Sequence, residues 1–592
     1  MVKTAAAVIL ATLAMASGAT AQQAADSVAP EAPSAQVFAS EEAAISEALA
    51  AKAAGQPVEA QSWMVTAANP LAAAAGARIL EKGGSAADAM VAVQAVLGLV
   101  EPQSSGLGGG AFLVYWDAAE ARLTTLDGRE TAPLAARPTL FQDDQGEPLK
   151  FFDAVVGGRS VGTPGTPALM GKAHDMWGNL AWPELFDDAI ALARDGFAVS
   201  PRLAGLVAGD AERLSRFAST AAYFLPDGEA VQTGDTLTNP AYADTLDLLA
   251  RDGAQAFYTG ALADEIVQTV TSAPGNPGVM SAVDLAIYQV IERAPVCQAY
   301  RSYEVCGMGP PSSGALTVGQ ILGVLGAQDL AGMGPDDPMA WRLIGDASRL
   351  AFADRGRYMA DSDFVPVPVD GLLAPDYLAE RAALLEGKRA LETVAPGTPE
   401  FDHALRWADD EALEFPSTSH ISIVDGAGNV VSMTTTIENG FGSRLMVAGF
   451  LLNNELTDFS FRTHRDGVPI ANRVEPGKRP RSSMSPTIVL ENGAPVLAIG
   501  SPGGSRIIGY VAQALIAWAD WGMDVQQAVA MPHRVNRFGT YDVETEALAP
   551  PLETLGYDVN VRALTSGLHA IEIGETLQGG ADPRREGIAL GQ

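Results

Sequence analysis

The segment His420 to Thr436, HISIVDGAGNVVSMTTT, constrains the fold more than any other part of this chain. Asp425 and Asn429 flank a Gly-Ala-Gly loop, and Gly428 is free to take the left-handed conformation that a tight turn needs. Pairing Asp425 with Asn429 sets a register in which Ile423 faces Val431, Ser422 faces Ser432 and Ile421 faces Met433. Carried outward, His420 faces Thr434 and Thr418 faces Thr436. One side of this hairpin is apolar and the other carries hydroxyls, a division that a one-residue slip would destroy.

Helical patterns precede and follow this hairpin. NPLAAAAGARILEKGG predicts a helix stopped by Gly83-Gly84, and SAADAMVAVQAVLGLVEP restarts at once, with Ser85 as N-cap and Asp88 at the third position. The second helix is apolar nearly all round and is expected between layers. Helices dominate from Pro167 to about Leu391, with short strands at 288–293 and around the cysteines. The stretch 395–417 is Pro-rich, then acidic, and reads as an exposed linker. Beyond it the chain turns strand-rich, with strands at 419–424, 430–437, 450–453, 487–490 and 496–499, then a helix over 506–520. This order predicts sheets covered by helical layers.

The N-terminus, MVKTAAAVILATLAMASGATAQQ, has a lysine, a short apolar core and an Ala-Thr-Ala cleavage pattern. It reads as a secretory signal over residues 1–21, too short for a membrane span, so a periplasmic or secreted protein is expected. Residues 22–60 read as a low-complexity tether with one short helix near 41–52, and the folded part is expected to begin near Trp63. No transmembrane helix is expected. With 71 acidic against 38 basic residues, the net charge of −33 argues against nucleic acid and anionic membranes as partners. Cys297 and Cys306, in PVCQAYRSYEVCG, suit a hairpin with one cysteine on each strand. Export favours a local disulfide between them, with two buried thiols as the alternative.

Several chemistries fail on context. The six histidines share no metal-ligand spacing, so no metal or other cofactor is expected. SSGLGGGAF lacks the Lys-Ser/Thr of a phosphate loop. Ser160, in GRSVG, is followed by TPGTP rather than the helix a nucleophile elbow requires. Two remaining patterns are more promising. RPRSSMSPT holds Ser482 and Ser483, and IGSPGGSRI places Gly503 and Gly504 at a helix start, where consecutive N–H groups can bind an oxyanion.

TSHISIVDGAGNVVSMTTTIENGFGS, GFLLNNELTDFS, GKRPRSSMSPTIV and GSPGGSRI, in that order, resemble the γ-glutamyltransferases (glutathione hydrolases). VEPQSSGLGGGAF, LDGRETAP and PPSSGA match the same family in the first half. The resemblance implies an N-terminal-nucleophile hydrolase with a four-layer αββα (α+β) core. It further implies a precursor that cuts itself between Ser417 and Thr418 into a large subunit, 61–417, and a small catalytic subunit, 418–592, that stay together. Thr418 matches the nucleophile, whose freed α-amine serves as its base, and Thr436 the threonine that orients it. Gly503 and Gly504 match the oxyanion hole. Arg129, with Ser482 and Ser483, matches the clamp for the substrate α-carboxylate, a role suited to the arginine fork. Asp458 and Glu455 match the α-ammonium site. The implied substrates are glutathione and related γ-glutamyl compounds, with water, amino acids or peptides as acceptors.

Two departures stand out. Glu438 takes a place near the substrate amine where members of that family carry Asn, and Glu455 a place where some carry Gln. A third carboxylate at Glu438 would attract a cation and repel the α-carboxylate, which motivates a cephalosporin-acylase-like activity as the alternative. The segment after Asp458 is short and lacks Tyr, which predicts an open pocket. A catalytically inactive periplasmic binding protein is the remaining alternative, and the intact Thr418, Thr436 and Gly503-Gly504 set argues against it.

Overall fold

The computed structural model describes residues 42–403, 406–410, 412 and 414–592. The expected signal segment and the tether up to residue 41 lie outside the described residues. Two seven-stranded antiparallel sheets form the centre of the molecule. The first runs in the order Ile588–Gly591, Met64–Ala67, Ser419–Val424, Val430–Thr436, Gly110–Asp117, Arg122–Gly128, Ile291–Arg293. The second runs Val58–Ala60, Leu577–Ala581, His569–Ile573, Ala494–Gly500, Thr487–Glu491, Tyr303–Gly307, Val296–Tyr300. Met64, Val114, Trp116, Val424 and Val430 of the first sheet pack against Ile488, Leu490, Ala498 and Ile571 of the second. The outer face of the first sheet, including Ile421, Ile423, Val431 and Met433, shares a core with the helices Pro70–Glu81 and Ala86–Val100. The outer face of the second shares a core with the helices Gly314–Leu325, Pro338–Tyr358 and Ile507–Ala519. The architecture is therefore the four-layer αββα sandwich.

The hairpin takes the register read from its sequence, with His420 opposite Thr434, Ser422 opposite Ser432 and Ile421 opposite Met433. Gly428 sits at φ 85°, as the turn requires. One Asp425 oxygen accepts the Ala427 and Asn429 N–H groups, and the other accepts the Ala86 N–H at 2.9 Å. The carboxylate that closes the turn thus also supports the start of the helix Ala86–Val100. That helix carries the Ser85–Asp88 capping box, and all 15 of its residues are buried. The hydroxyl face of the hairpin meets the second sheet through hydrogen bonds: the Ser432 hydroxyl donates to Ile499 O at 3.2 Å and accepts from Thr487 N at 2.9 Å. This satisfies polar groups that burial would otherwise penalise.

Two expectations need correction. Folded structure starts well before Trp63. The helix Ala43–Ala53 buries Ile45 and Leu49, and Lys52 donates to the carbonyls of Arg585 and Gly587 at 2.9 and 2.6 Å. Val58–Ala60 then adds an edge strand. These apolar side chains share a core with Ile588 and Leu590 at the other end of the chain, which no local pattern reveals. The linker is also not exposed to its end, since Glu414, Phe415 and Ser417 are all buried.

Cys297 and Cys306 face each other on adjacent strands and are disulfide-bonded. The bond closes a loop nine residues apart in sequence, for which chain entropy suggests about 2–3 kcal/mol of stabilisation. The Cys297→Ala/Cys306→Ala chain should therefore denature at lower urea concentration with an unchanged slope. An unchanged midpoint would show that the strand pairing alone holds this edge.

Candidate active site

Thr418 immediately precedes the strand Ser419–Val424 at the rim of the hairpin. Its hydroxyl donates to the Thr436 hydroxyl at 3.2 Å, and the Thr436 oxygen also accepts the Glu438 N–H at 2.8 Å. The Thr418 carbonyl accepts from Arg585 at 3.1 Å, and the Ser417 hydroxyl donates to Gln103 O at 3.0 Å. Thr418 has φ 124°, a region a β-branched residue enters only under strain. The backbone is thus strained beside the bond where the family resemblance implies a cut.

The glycine loop ahead of Gly110–Asp117 lets the chain pass close behind this pair. A Cβ at Gly109 would run into the Thr436 carbonyl, and one at Gly108 into the Leu451 carbonyl. Gly504, φ 57°, lines the same cleft, and a Cβ there would lie 2.6 Å from Phe415 O. Gly503, φ 137°, stands one residue behind, against the Tyr510 ring.

The cleft beside Thr418 also gathers Arg129, Glu438, Glu455, Asp458, Ser482 and Ser483. The structure thus brings together the residues that the sequence singled out, apart from Gly503 behind the wall, Ser417 on the strand approach and the cysteines at a sheet edge. Arg129 does not stand open as a carboxylate clamp. It is fully buried, paired with Glu455 and with Asp458 at 2.6 Å, and donates to the carbonyls of Pro480 and Arg481 at 3.2 and 3.0 Å. Its fork is filled by protein acceptors.

Around this one guanidinium lie four carboxyl groups: Glu130, Glu438, Glu455 and Asp458. Burial pushes all four above the usual carboxylate range, and Arg129 pulls each of them back in part. Glu438, raised by burial and by Asp458, bonds to the Asn454 side chain and accepts the Phe415 N–H at 3.3 Å. Among the described residues, Asp458 Oδ1 has no hydrogen-bond partner, and Glu455 shares a hydrogen bond with Glu130. A pocket with surplus carboxyls and an unfilled acceptor suits a cationic donor, and an ammonium supplies both the charge and the protons.

Sequence reasoning missed Glu414, Phe415, Arg355 and Arg481. Glu414 and Phe415 line the cleft, and Phe415 stacks on Phe151 with ring centroids 3.9 Å apart. The signal was present in Glu-Phe-Pro-Ser-Thr, where an aromatic side chain stands just ahead of Thr418.

This sandwich, with a threonine at the start of a central strand and glycines facing it, defines the N-terminal-nucleophile hydrolase class. The Gamma-glutamyltranspeptidase family model matches residues 72–592, and the chain belongs to that family. The glutathione hydrolase proenzyme of Bacillus subtilis (strain 168) is 37% identical over 548 residues, covering 89% of this chain and 91% of the relative. The acylase ACY 1 proenzyme of Pseudomonas sp. (strain SE83) is 34% identical over 550 residues, 90% of this chain and 94% of the relative. Among solved structures, cephalosporin acylase from Bacillus halodurans superposes with TM-score 0.80 at 27% identity, over 91% of this chain and 97% of that one. Helicobacter pylori gamma-glutamyltranspeptidase gives TM-score 0.55 at 34% identity, over 57% of this chain and 96% of that one.

Glu130 yields a pH prediction. Burial moves its carboxyl from 4.5 up to about 8, so the folded chain keeps a proton that the unfolded chain releases. Its contribution to stability is complete below about pH 4.5 and is lost as the pH climbs to about 8. The melting temperature of wild type, relative to Glu130→Gln, should fall across this window. A constant difference between the two chains would refute the shift.

Proposed function

We propose that this protein is a self-processing γ-glutamyl hydrolase and transferase that releases glutamate from glutathione and related amides, or passes the γ-glutamyl group to an amine. The observation that carries this reading is the threonine pair in one cleft with the carboxyls of Glu455 and Asp458, which suit an α-ammonium.

In the precursor, the Thr418 hydroxyl adds to the Ser417 carbonyl, the peptide C–N bond breaks, and the α-amine of Thr418 takes the proton. Water then cleaves the ester, leaving a Ser417 carboxylate and a free Thr418 N-terminus. The strain at Thr418 favours this shift, because cutting releases the constraint on φ. In the mature enzyme the α-amine accepts the Thr418 proton as the oxygen attacks the γ-carbonyl. The Gly503-Gly504 turn stabilises the developing oxyanion, and the same amine protonates the leaving amine. Water or an acceptor amine then takes the acyl group. Thr436 fixes the hydroxyl rotamer, which shortens the search for an attack geometry.

Export suits a chain with the N-terminal pattern described above and with a disulfide. Among the described residues, no helix is long and apolar enough to cross a membrane.

Purified protein should separate under denaturing conditions into two chains, the smaller beginning at Thr418. Thr418→Ala should remain one chain with no turnover of L-γ-glutamyl-p-nitroanilide. A folded wild-type chain that stays whole would defeat the processing reading. Wild-type preference for a glutaryl amide over the γ-glutamyl amide would favour an acylase instead.

A further inference from the structure

Lys52 ties the helix Ala43–Ala53 to the last turns of the chain. Its Nζ donates to the carbonyls of Arg585 and Gly587 at 2.9 and 2.6 Å, on both sides of Glu586. The helix shares a core, through Ile45 and Leu49, with Ile588 and Leu590. Burial pushes the Lys52 ammonium down to about 8, and Asp582 and Glu586 oppose that shift only in part. An apolar side chain would pack there without this cost, so what Lys52 adds is its donors.

The stretch that Lys52 fixes is held from other sides as well. One Asp582 oxygen accepts the N–H groups of Gly567 and Leu568 at 3.0 and 3.1 Å, and the other accepts the Arg584 N–H at 2.9 Å. Glu586 accepts the Arg202 N–H at 2.9 Å. The Arg585 side chain, 2% exposed, therefore starts from a fixed backbone. It runs past Gly567, where a Cβ would lie 2.7 Å from both Arg585 Cδ and Pro502 Cγ. Its guanidinium ends on the Thr418 carbonyl at 3.1 Å. Pro502 directly precedes Gly503 and Gly504. One buried arginine thus lies between Thr418 and the base of the glycine turn.

This hold matters most once the Ser417–Thr418 bond is cut. In the uncut chain Thr418 is also held through Ser417, whose hydroxyl donates to Gln103 O at 3.0 Å. Cutting ends that link, and Thr418 becomes a chain terminus just ahead of the strand Ser419–Val424. Termini fray unless something ties them. The Thr418 carbonyl lies on the downstream side of the cut, so its hydrogen bond from Arg585 survives.

We propose that Arg585 is a positioning residue for the Thr418 nucleophile, and that Lys52 sets Arg585 by fixing the carbonyls on both sides of Glu586. The inference rests on the role of Thr418 proposed above. Lys52 falls before the cut and Arg585 after it, so the helix Ala43–Ala53 supports the active site across the two chains.

A double-mutant cycle tests this, read in turnover of L-γ-glutamyl-p-nitroanilide by processed protein whose fold is checked by circular dichroism. Arg585→Met should lower kcat about 100-fold with KM little changed, the scale of a misplaced reacting group. Lys52→Met should lower kcat about tenfold, again with KM little changed. Because Lys52 acts through Arg585, the double variant should be no slower than Arg585→Met alone. Arg585→Lys, which keeps a cationic donor, should recover most of the lost kcat. Losses that multiply in the double variant, a wild-type kcat in either single variant, or equal losses in Arg585→Lys and Arg585→Met would overturn the proposal. The same hydroxyl attacks during processing, so the half-time for cutting newly made precursor gives a second reading of the cycle, with the same pattern expected and the same outcomes against it. Where Arg585→Met does not fold, Arg585→Gln takes its place. A wild type that is cut but prefers glutaryl-p-nitroanilide removes the γ-glutamyl reading alone, and the cycle is then read with that amide.

Discussion

The contact between the Thr418 and Thr436 hydroxyls depends on a strand pairing that runs without a slip from the turn at Asp425 to the rim of the sheet. A bulge anywhere in those rungs would turn one threonine to the helical face and the other to the second sheet. The apolar rungs anchor the register, because Ile421, Ile423, Val431 and Met433 must all enter the core beneath the helix Ala86–Val100. The same helix begins on Asp425 and leads at its far end into the loop whose Gln103 carbonyl holds Ser417. Packing energy is thus spent on holding two hydroxyls in line.

A second level of organisation is electrostatic. Two buried groups of charge stand beside the cleft. Around Arg129 there are more carboxyls than cations; Arg355 and Arg481 are matched by Glu414 and Asp410. Burial is what gives these pairings force, since at the surface each would be screened.

The hairpin, its register and its turn were legible because period-two alternation and a glycine loop are local signals. The buried helix with Ser85 and Asp88 was legible for the same reason. Thr418, Thr436 and the carboxyl residues of the cleft came from ordered motifs. What escaped is long-range. Lys52 reaches carbonyls at Arg585 and Gly587, and nothing near either end announces it. Arg355 lies inside a 21-residue helix, where an arginine reads as solvent-facing until its depth is known. Glu414 read as linker because acidic, Pro-rich chain is usually solvated, and only its burial shows it to be an occupant of the cleft. Arg129 was found at the expected place with different partners, because motif spacing specifies position and not which acceptors fill a fork.

The strand order of the first sheet has a consequence for durability. Ser419–Val424 is flanked on one side by Met64–Ala67 and joined on the other to Val430–Thr436, which pairs with Gly110–Asp117; Met64–Ala67 in turn lies beside Ile588–Gly591. Strands from either side of residue 418 therefore alternate like interlaced fingers. A cut chain of this topology has no interface along which its halves could slide apart, since every separating path breaks rungs in the middle of a sheet. Dissociation and unfolding become a single event, and the lifetime of the nicked molecule is set by the unfolding barrier of the sandwich rather than by any affinity between its parts.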